Sequence, residues 1–205
     1  MSLAYLLQDK TAITVSGSHS GIGKTLLAES ILQVVRDFAA IKITIEDFFT
    51  AVSFDDASIM VPGKDTFRLK TSGASRVVWV RTPEQHLVET MEQAVSALGC
   101  FSGLLIEGNS ITTYLEPDLA FFVYGGEIQT MKPSRLYALQ RAQVIINNIR
   151  DAATDCRENE KILRDINTRA TVLSANLAAA DTLQLLLRSI IKQRLGVTLL
   201  RESAA

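Results

Sequence analysis

Val15-Ser16-Gly17-Ser18-His19-Ser20-Gly21-Ile22-Gly23-Lys24-Thr25-Leu26-Leu27 is the stretch that decides the fold. A β-rich run over residues 11–15 leads in, a loop of small residues follows, and Gly23-Lys24-Thr25 opens an apolar-periodic segment. This is the order of a phosphate-binding loop between a strand and a helix. Backbone N–H groups over Ser18, His19, Ser20, Gly21, Ile22 and Gly23 would surround a phosphate chain, and the helix start adds its positive dipole end. Lys24 would reach the β- and γ-phosphates, and the Thr25 hydroxyl would bind Mg²⁺. Counting back from Gly23 puts Ser18 where the usual G-x-x-x-x-G-K-[ST] pattern has its first glycine. Serine is small enough for the same turn. The alternative is an ordinary Gly/Ser turn, but the flanking strand and helix are the context the motif requires.

The 205 residues suit one domain, 1–205, with a tail over about 197–205. A formal net charge of −1 offers no electrostatic case for nucleic acid or an anionic membrane. No apolar run has the length of a membrane span, and Met1-Ser2-Leu3-Ala4-Tyr5 does not open a secretory signal. Cys100 and Cys156 lack metal-type spacing and read as reduced thiols of a cytoplasmic protein.

Strand-like and helix-like segments alternate. Strands are expected at 11–15, 39–45, 76–80, 103–107, 119–124, 144–147 and 171–174. Helices are expected at 25–37, 83–98, 133–142 and 152–166, with a last helix capped by Asp181 and ending near Gly196. Residues 46–74 read as mixed, and Trp79 reads as core. Short apolar strands without polar alternation are buried on both faces. The expected fold is therefore α/β: the three-layer P-loop nucleoside triphosphate hydrolase fold, a mostly parallel sheet with helices on both faces.

A phosphate-binding loop needs an acid for its metal, usually at the end of a buried strand. Leu104-Leu105-Ile106-Glu107-Gly108 supplies one. Glu107 would lie beside the loop at the carboxyl edge of the sheet, where such folds bind ligands; otherwise it is a solvated acid at a strand end. Asp65, in Gly63-Lys64-Asp65-Thr66-Phe67-Arg68, is the second metal candidate. Lys64 and Arg68 would meet phosphate or another anion, unless the segment is only a charged surface loop.

Together these pieces resemble the molybdopterin-guanine dinucleotide biosynthesis protein B family. The resemblance rests on Gly23-Lys24-Thr25, Ile41-Lys42, Pro62-Gly63-Lys64-Asp65-Thr66-Phe67-Arg68 with Gly73-Ala74, and Ile106-Glu107-Gly108. It covers about the first 110 residues. It implies GTP binding, homodimerisation and an accessory role in molybdenum cofactor maturation beside a guanylyltransferase or molybdoenzyme. It also implies the broad fold class of dethiobiotin synthetase and the urease and hydrogenase maturation GTPases. The sequence departs from that pattern at Ile43-Thr44-Ile45-Glu46-Asp47, where a histidine-rich stretch is usual, and at Asn109-Ser110. Its part from about Leu119 is longer and more GTPase-like.

Two later segments bear on the base. Asn148-Ile149-Arg150-Asp151 follows a buried strand and keeps the Asn and Asp of N-K-x-D, whose Asp accepts from guanine. Ser174-Ala175 follows the next strand and is similar to the S-A-K segment that meets the guanine oxygen. In this order they favour GTP over ATP. The alternative for Asn148 and Asp151 is a helix N-cap with an acid in the first turn.

Lys24 and Glu107 are thus the candidate catalytic residues, and Thr25, Asp65 and Glu107 the metal ligands. Ser18 to Thr25 with Asn148, Asp151, Ser174 and Ala175 would hold the nucleotide. No water-positioning Gln or arginine finger is visible, so hydrolysis is expected to be slow or partner-stimulated. Two other readings stay open: an ATP-dependent enzyme on a small molecule, of the dethiobiotin synthetase type, and a non-hydrolysing nucleotide-binding adaptor.

Overall fold

The computed structural model describes residues 3–7, 9–126, 128, 131–149, 156–197 and 199. The strands are β1 (Thr11–Gly17), β2 (Phe38–Ile45), β3 (Ala51–Ser53), β4 (Val77–Thr82), β5 (Gly103–Glu107), β6 (Leu119–Tyr124), β7 (Val144–Asn148) and β8 (Thr171–Ala175). They form one sheet in the order β3-β4-β2-β5-β1-β6-β7-β8. Every pairing is parallel except that of β3 with β4 at the edge. The helices are α1 (Lys24–Leu32), α2 (Asp56–Ile59), α3 (Asp65–Thr71), α4 (Leu87–Leu98), α5 (Pro133–Arg141), α6 (Cys156–Ile166) and α7 (Ala180–Leu195).

Alternate residues of each central strand feed opposite layers. Ile13 and Val15 of β1 pack with Leu27 and Ile31 of α1 and Leu187 and Ile191 of α7. Ala12 of β1 and Leu104 and Ile106 of β5 face the other way, toward Leu87, Met91 and Leu98 of α4. Phe122 and Tyr124 of β6 join Leu139 of α5 and Leu163 of α6 in a third cluster on that side. All five residues of β5 are buried, as a central parallel strand requires.

Several boundaries differ from expectation. Helix α1 stops at Leu32, not near Asp37, because Val34 and Val35 are needed in the core and Asp37 turns left-handed (φ 56°) to launch β2. Residues 46–74 resolve into β3, α2 and α3, with the Asp55 side chain capping α2 by accepting the Ser58 N–H at 3.0 Å. Helix α7 starts one residue before Asp181, with Ala179 at the cap position. Trp79 is half-buried rather than core, and its Nε1 donates to Thr44 Oγ1 at 3.0 Å. In the expected tail, Leu199 bridges to Val35 and packs on the core, and residues 200–205 lie outside the described set. Cys100 and Cys156 are free thiols. No described helix is long and apolar enough to cross a membrane.

Candidate functional site

The sequence changes direction along the sheet at β1. The chain runs from β1 outward through β2 and β4, returns at β5 beside β1, then continues on the far side with β6. Ligands of such sheets bind beyond the strand carboxyl ends at this switch point, and the loop 17–25 lies there. Gly23 caps α1 at φ 113°, a conformation side-chain-bearing residues rarely adopt, and a Cβ there would meet Leu177 at 2.9 Å. The first N–H groups of α1 have no acceptor within the helix, and Lys24, Thr25 and Leu26 at that end line the cleft beside the loop. The loop is anchored from behind. Gly17 N–H donates to Asn109 Oδ1 at 2.9 Å, and Ser16 Oγ donates to the Gly108 carbonyl at 2.9 Å. The chain after β5 therefore holds the loop after β1.

Ser18 sits differently from the expectation that it meets phosphate. Its N–H donates to the Val123 carbonyl at 2.9 Å, and its buried Oγ has no partner. It extends the strand end. His19 Nδ1 donates to the Ser20 carbonyl at 2.7 Å, and the His19 carbonyl accepts from Lys24 Nζ at 2.9 Å. Ile22 is buried, so its backbone rather than its side chain is left to the loop. Burial lowers the Lys24 pKa, partly offset by the negative charge of Glu107.

The acids converge through strand register. Glu107 stands opposite Val15 of β1 and opposite Lys42 of β2. It is fully buried (0% exposed). Thr25 Oγ1 lies 3.2 and 3.1 Å from its two carboxylate oxygens. Lys42 Nζ makes a direct ion pair with Glu107 Oε1 and a second with Asp65 Oδ2 at 2.7 Å. One ammonium thus joins the acid at the end of β5 to the acid that starts α3. Burial opposes the Lys42 charge, but Glu107 and Asp65 outweigh it and raise its pKa. Burial likewise works against an ionised Asp65, yet Lys42, with Thr25 and Arg68, holds its pKa below the usual value.

Gly21, Gly23, Lys24, Thr25, Asp65 and Glu107 are among the residues lining a cleft of about 310 Å³. The structure brings Thr25 and Glu107 into contact and ties Asp65 to them through Lys42. Among the described residues no three His, Cys, Asp or Glu side chains gather into a metal cage. Two carboxylates and a hydroxyl are hard oxygen donors. They suit Mg²⁺, which binds through one or two carboxylates plus phosphate oxygens and water. Arg68 is committed elsewhere. Its guanidinium grips Glu29 of α1 by two bonds, Nε to Oε1 at 2.8 Å and Nη2 to Oε2 at 2.6 Å. Lys64 is exposed at the cap of α3.

On the other side of the loop, Asn148 acts as a clamp. Its Nδ2 donates to the Ile22 carbonyl at 2.7 Å, and its Oδ1 accepts the Leu177 N–H at 3.1 Å. It ties the phosphate-binding loop to the segment after β8. Ser174 Oγ accepts from Asn147 Nδ2 at 3.1 Å and donates to Glu160 at 2.6 Å. The Ala175 carbonyl accepts the Ile149 N–H at 3.0 Å. Asp151 lies outside the described residues.

Lys42 and Asn109 were not picked out as site residues by sequence reasoning. Lys42 did carry a signal: it is the one charge inside an apolar strand, and a half-buried ammonium needs an acid nearby. Asn109 carried none, since its bond to Gly17 joins residues 92 positions apart.

No protein-family model matches the chain, and no curated protein matches it. Solved structures do. Hydrogenase maturation factor HypB from Archaeoglobus fulgidus aligns with a TM-score of 0.56 at 16% identity, over 91% of this chain and 94% of that one. HypB from Helicobacter pylori, solved in complex with nickel, aligns with a TM-score of 0.58 at 13% identity, over 98% and 94%. The chain has the P-loop nucleoside triphosphatase fold. At these identities the likeness is one of architecture.

Proposed function

We propose that this protein binds a magnesium–nucleoside triphosphate, GTP in preference to ATP, and serves as an accessory factor in metal-cofactor maturation. The observation that carries the nucleotide reading is the Thr25–Glu107–Lys42–Asp65 cluster at the mouth of the glycine loop. The N–H groups over residues 20–25 would hold the phosphate oxygens, and Lys24 would leave the His19 carbonyl for the β- and γ-phosphates. Thr25, Glu107 and Asp65 would hold Mg²⁺, which neutralises charge on the phosphates when bound. Lys42 keeps Asp65 ionised and holds both acids in place until then. Nothing in this cluster activates a water by proton abstraction, so hydrolysis would be slow until a partner or second copy supplies a group.

The guanine preference rests on Asn148, which ties the loop to the segment carrying Ser174 and Ala175, and on Asp151 three residues later. The pathway is supported by two separate likenesses. The motifs of the first 110 residues resemble the molybdopterin-guanine dinucleotide biosynthesis protein B family, and the fold is that of a hydrogenase maturation factor. On this reading the protein works in the cytoplasm as a homodimer, beside a molybdenum-cofactor guanylyltransferase or molybdoenzyme.

Equilibrium binding of labelled GTP and ATP tests this in the wild type, Lys24→Ala and Asp151→Ala. We expect Lys24→Ala to weaken both nucleotides by about 10- to 100-fold, the worth of a charged hydrogen bond. Asp151→Ala should erase the preference for GTP. Unchanged binding in Lys24→Ala would defeat the loop reading, and equal wild-type affinities would remove the guanine assignment.

A further inference from the structure

A second, smaller cavity adjoins the phosphate cleft. It measures about 100 Å³ and is lined by Lys42, Thr44, Lys64, Asp65, Thr66 and Trp79. Lys42 and Asp65 also line the larger cleft, so the two spaces share a wall. The volume equals roughly three waters at about 30 Å³ each, enough for one carboxylate and a few carbons.

The lining is rich in donors that the fold leaves unused. Lys42 has three N–H donors, and Glu107 and Asp65 account for two. Thr44 Oγ1 accepts the indole N–H of Trp79, so its own proton is left to donate. Lys64 forms no ion pair among the described residues. Thr66 is already engaged, donating to the Ile59 carbonyl at 3.1 Å. Lys42 and Lys64 are balanced by Glu107 and Asp65, so these four groups carry no net charge. The surplus positive charge comes from a further cation behind the wall. The Arg81 guanidinium lies 4.3 Å from the centre of the Trp79 ring and 5.0 Å from that of Phe49, and its buried Nε has no hydrogen-bond partner. It forms no ion pair among the described residues. A cation held between aromatic rings, without an acid, adds to the field of the pocket.

We infer that this pocket is a binding site for the carboxylate of a small organic acid, seated between Lys42, Lys64 and Thr44 against the Trp79 ring. Its single surplus charge matches one carboxylate better than a phosphate dianion, which Asp65 would repel. Because Lys42 borders both spaces, the acid would sit next to the terminal phosphates of the nucleotide. That placement rests on the nucleotide reading above; binding of the acid does not.

Trp79 is the only tryptophan in the chain, so its emission reports the pocket directly. The full-length protein is titrated with propionate and, separately, with inorganic phosphate, and nucleotide binding is measured in parallel. Propionate should change Trp79 emission saturably. Thr44→Val and Lys64→Ala should each weaken that response by about three- to tenfold, one hydrogen bond's worth. Lys24→Met should weaken nucleotide binding by about 10- to 100-fold and keep the propionate response. The inference is overturned if propionate gives no saturable change, if phosphate alone gives one, if neither pocket variant shifts the midpoint, or if Lys24→Met removes the response. Failure of wild-type nucleotide binding with the propionate response intact would instead sink the nucleotide reading alone.

Discussion

The two flanks of the glycine loop are held by opposite kinds of chemistry. On the β5–β2 side the loop's neighbour is a buried ionic cluster, with Glu107 fully enclosed and paired to Lys42. On the β7–β8 side the neighbour is a neutral amide, Asn148, which spans from Ile22 to Leu177. On the proposed reading the charged flank would be the phosphate and metal end, and a buried carboxylate there needs a fixed cation beside it. The neutral flank has no charge to stabilise and only has to hold a distance. A fully satisfied amide does that without the desolvation cost of an ion pair.

The comparison is broken most severely at Lys42. Lys42→Met would leave Glu107 buried without its cation, and breaking a buried pair from one side costs about 3–5 kcal/mol. Urea denaturation should show that loss. The double variant Lys42→Met/Glu107→Gln should recover much of it, because the residual cost comes from the orphaned charge. Equal stability in the single and double variants would mean that the loss does not come from an orphaned Glu107 charge.

The neutral flank should give way more gently. Asn148→Ala leaves the Ile22 carbonyl and the Leu177 N–H without their partner, at about 1–3 kcal/mol of stability. Asn148→Asp keeps the acceptor for Leu177 but loses the donor to Ile22, and places a new charge beside the phosphates. It should bind nucleotide more weakly than Asn148→Ala, by an amount that shrinks with added salt. If Asn148→Asp binds as well as wild type, the clamp does not set the loop's position.

How much of this was readable in advance follows the same division. The glycine loop, Glu107 and Asp65 are local signals: a strand, a turn and an acid at a strand end can each be read within a dozen residues. The seven parallel strands were legible because each is a short apolar run. The antiparallel β3 was not, since Ala51-Val52-Ser53 is too short and too mixed to show a period. Contacts across the sheet were also out of reach. That Lys42 lands opposite Glu107 depends on the β2–β5 register, which no window of either strand contains. The Arg68 grip on Glu29 likewise joins α3 to α1 and withdraws a cation that the sequence leaves looking available for phosphate.

Asp65 offers the smallest and sharpest test, because it belongs to the charged flank yet is half-exposed. Its pKa is lowered in the folded protein, chiefly by Lys42 working against burial. A carboxylate with a lowered folded pKa stabilises the fold above its unfolded pKa, near 3.8, and that stability is lost as pH falls through the lower folded value. Asp65→Asn should therefore cost stability at neutral pH and cost progressively less as pH drops below about 4. The neutral-pH loss should stay below about 1 kcal/mol, since solvent screens a partly exposed pair. Lys42 limits the opposite end of the range. Its raised pKa makes its contribution complete below its ordinary value of 10.5 and lost only above it, and because Lys42 is what lowers the Asp65 pKa, Lys42→Met should flatten the acid limb as Asp65→Asn does. Thermal melts of both variants from pH 3 to pH 8 should show the same flattening. An Asp65→Asn difference that persists unchanged to pH 3 would show that the Lys42–Asp65 ion pair does not hold the carboxylate, and that Glu107 alone fixes the ammonium.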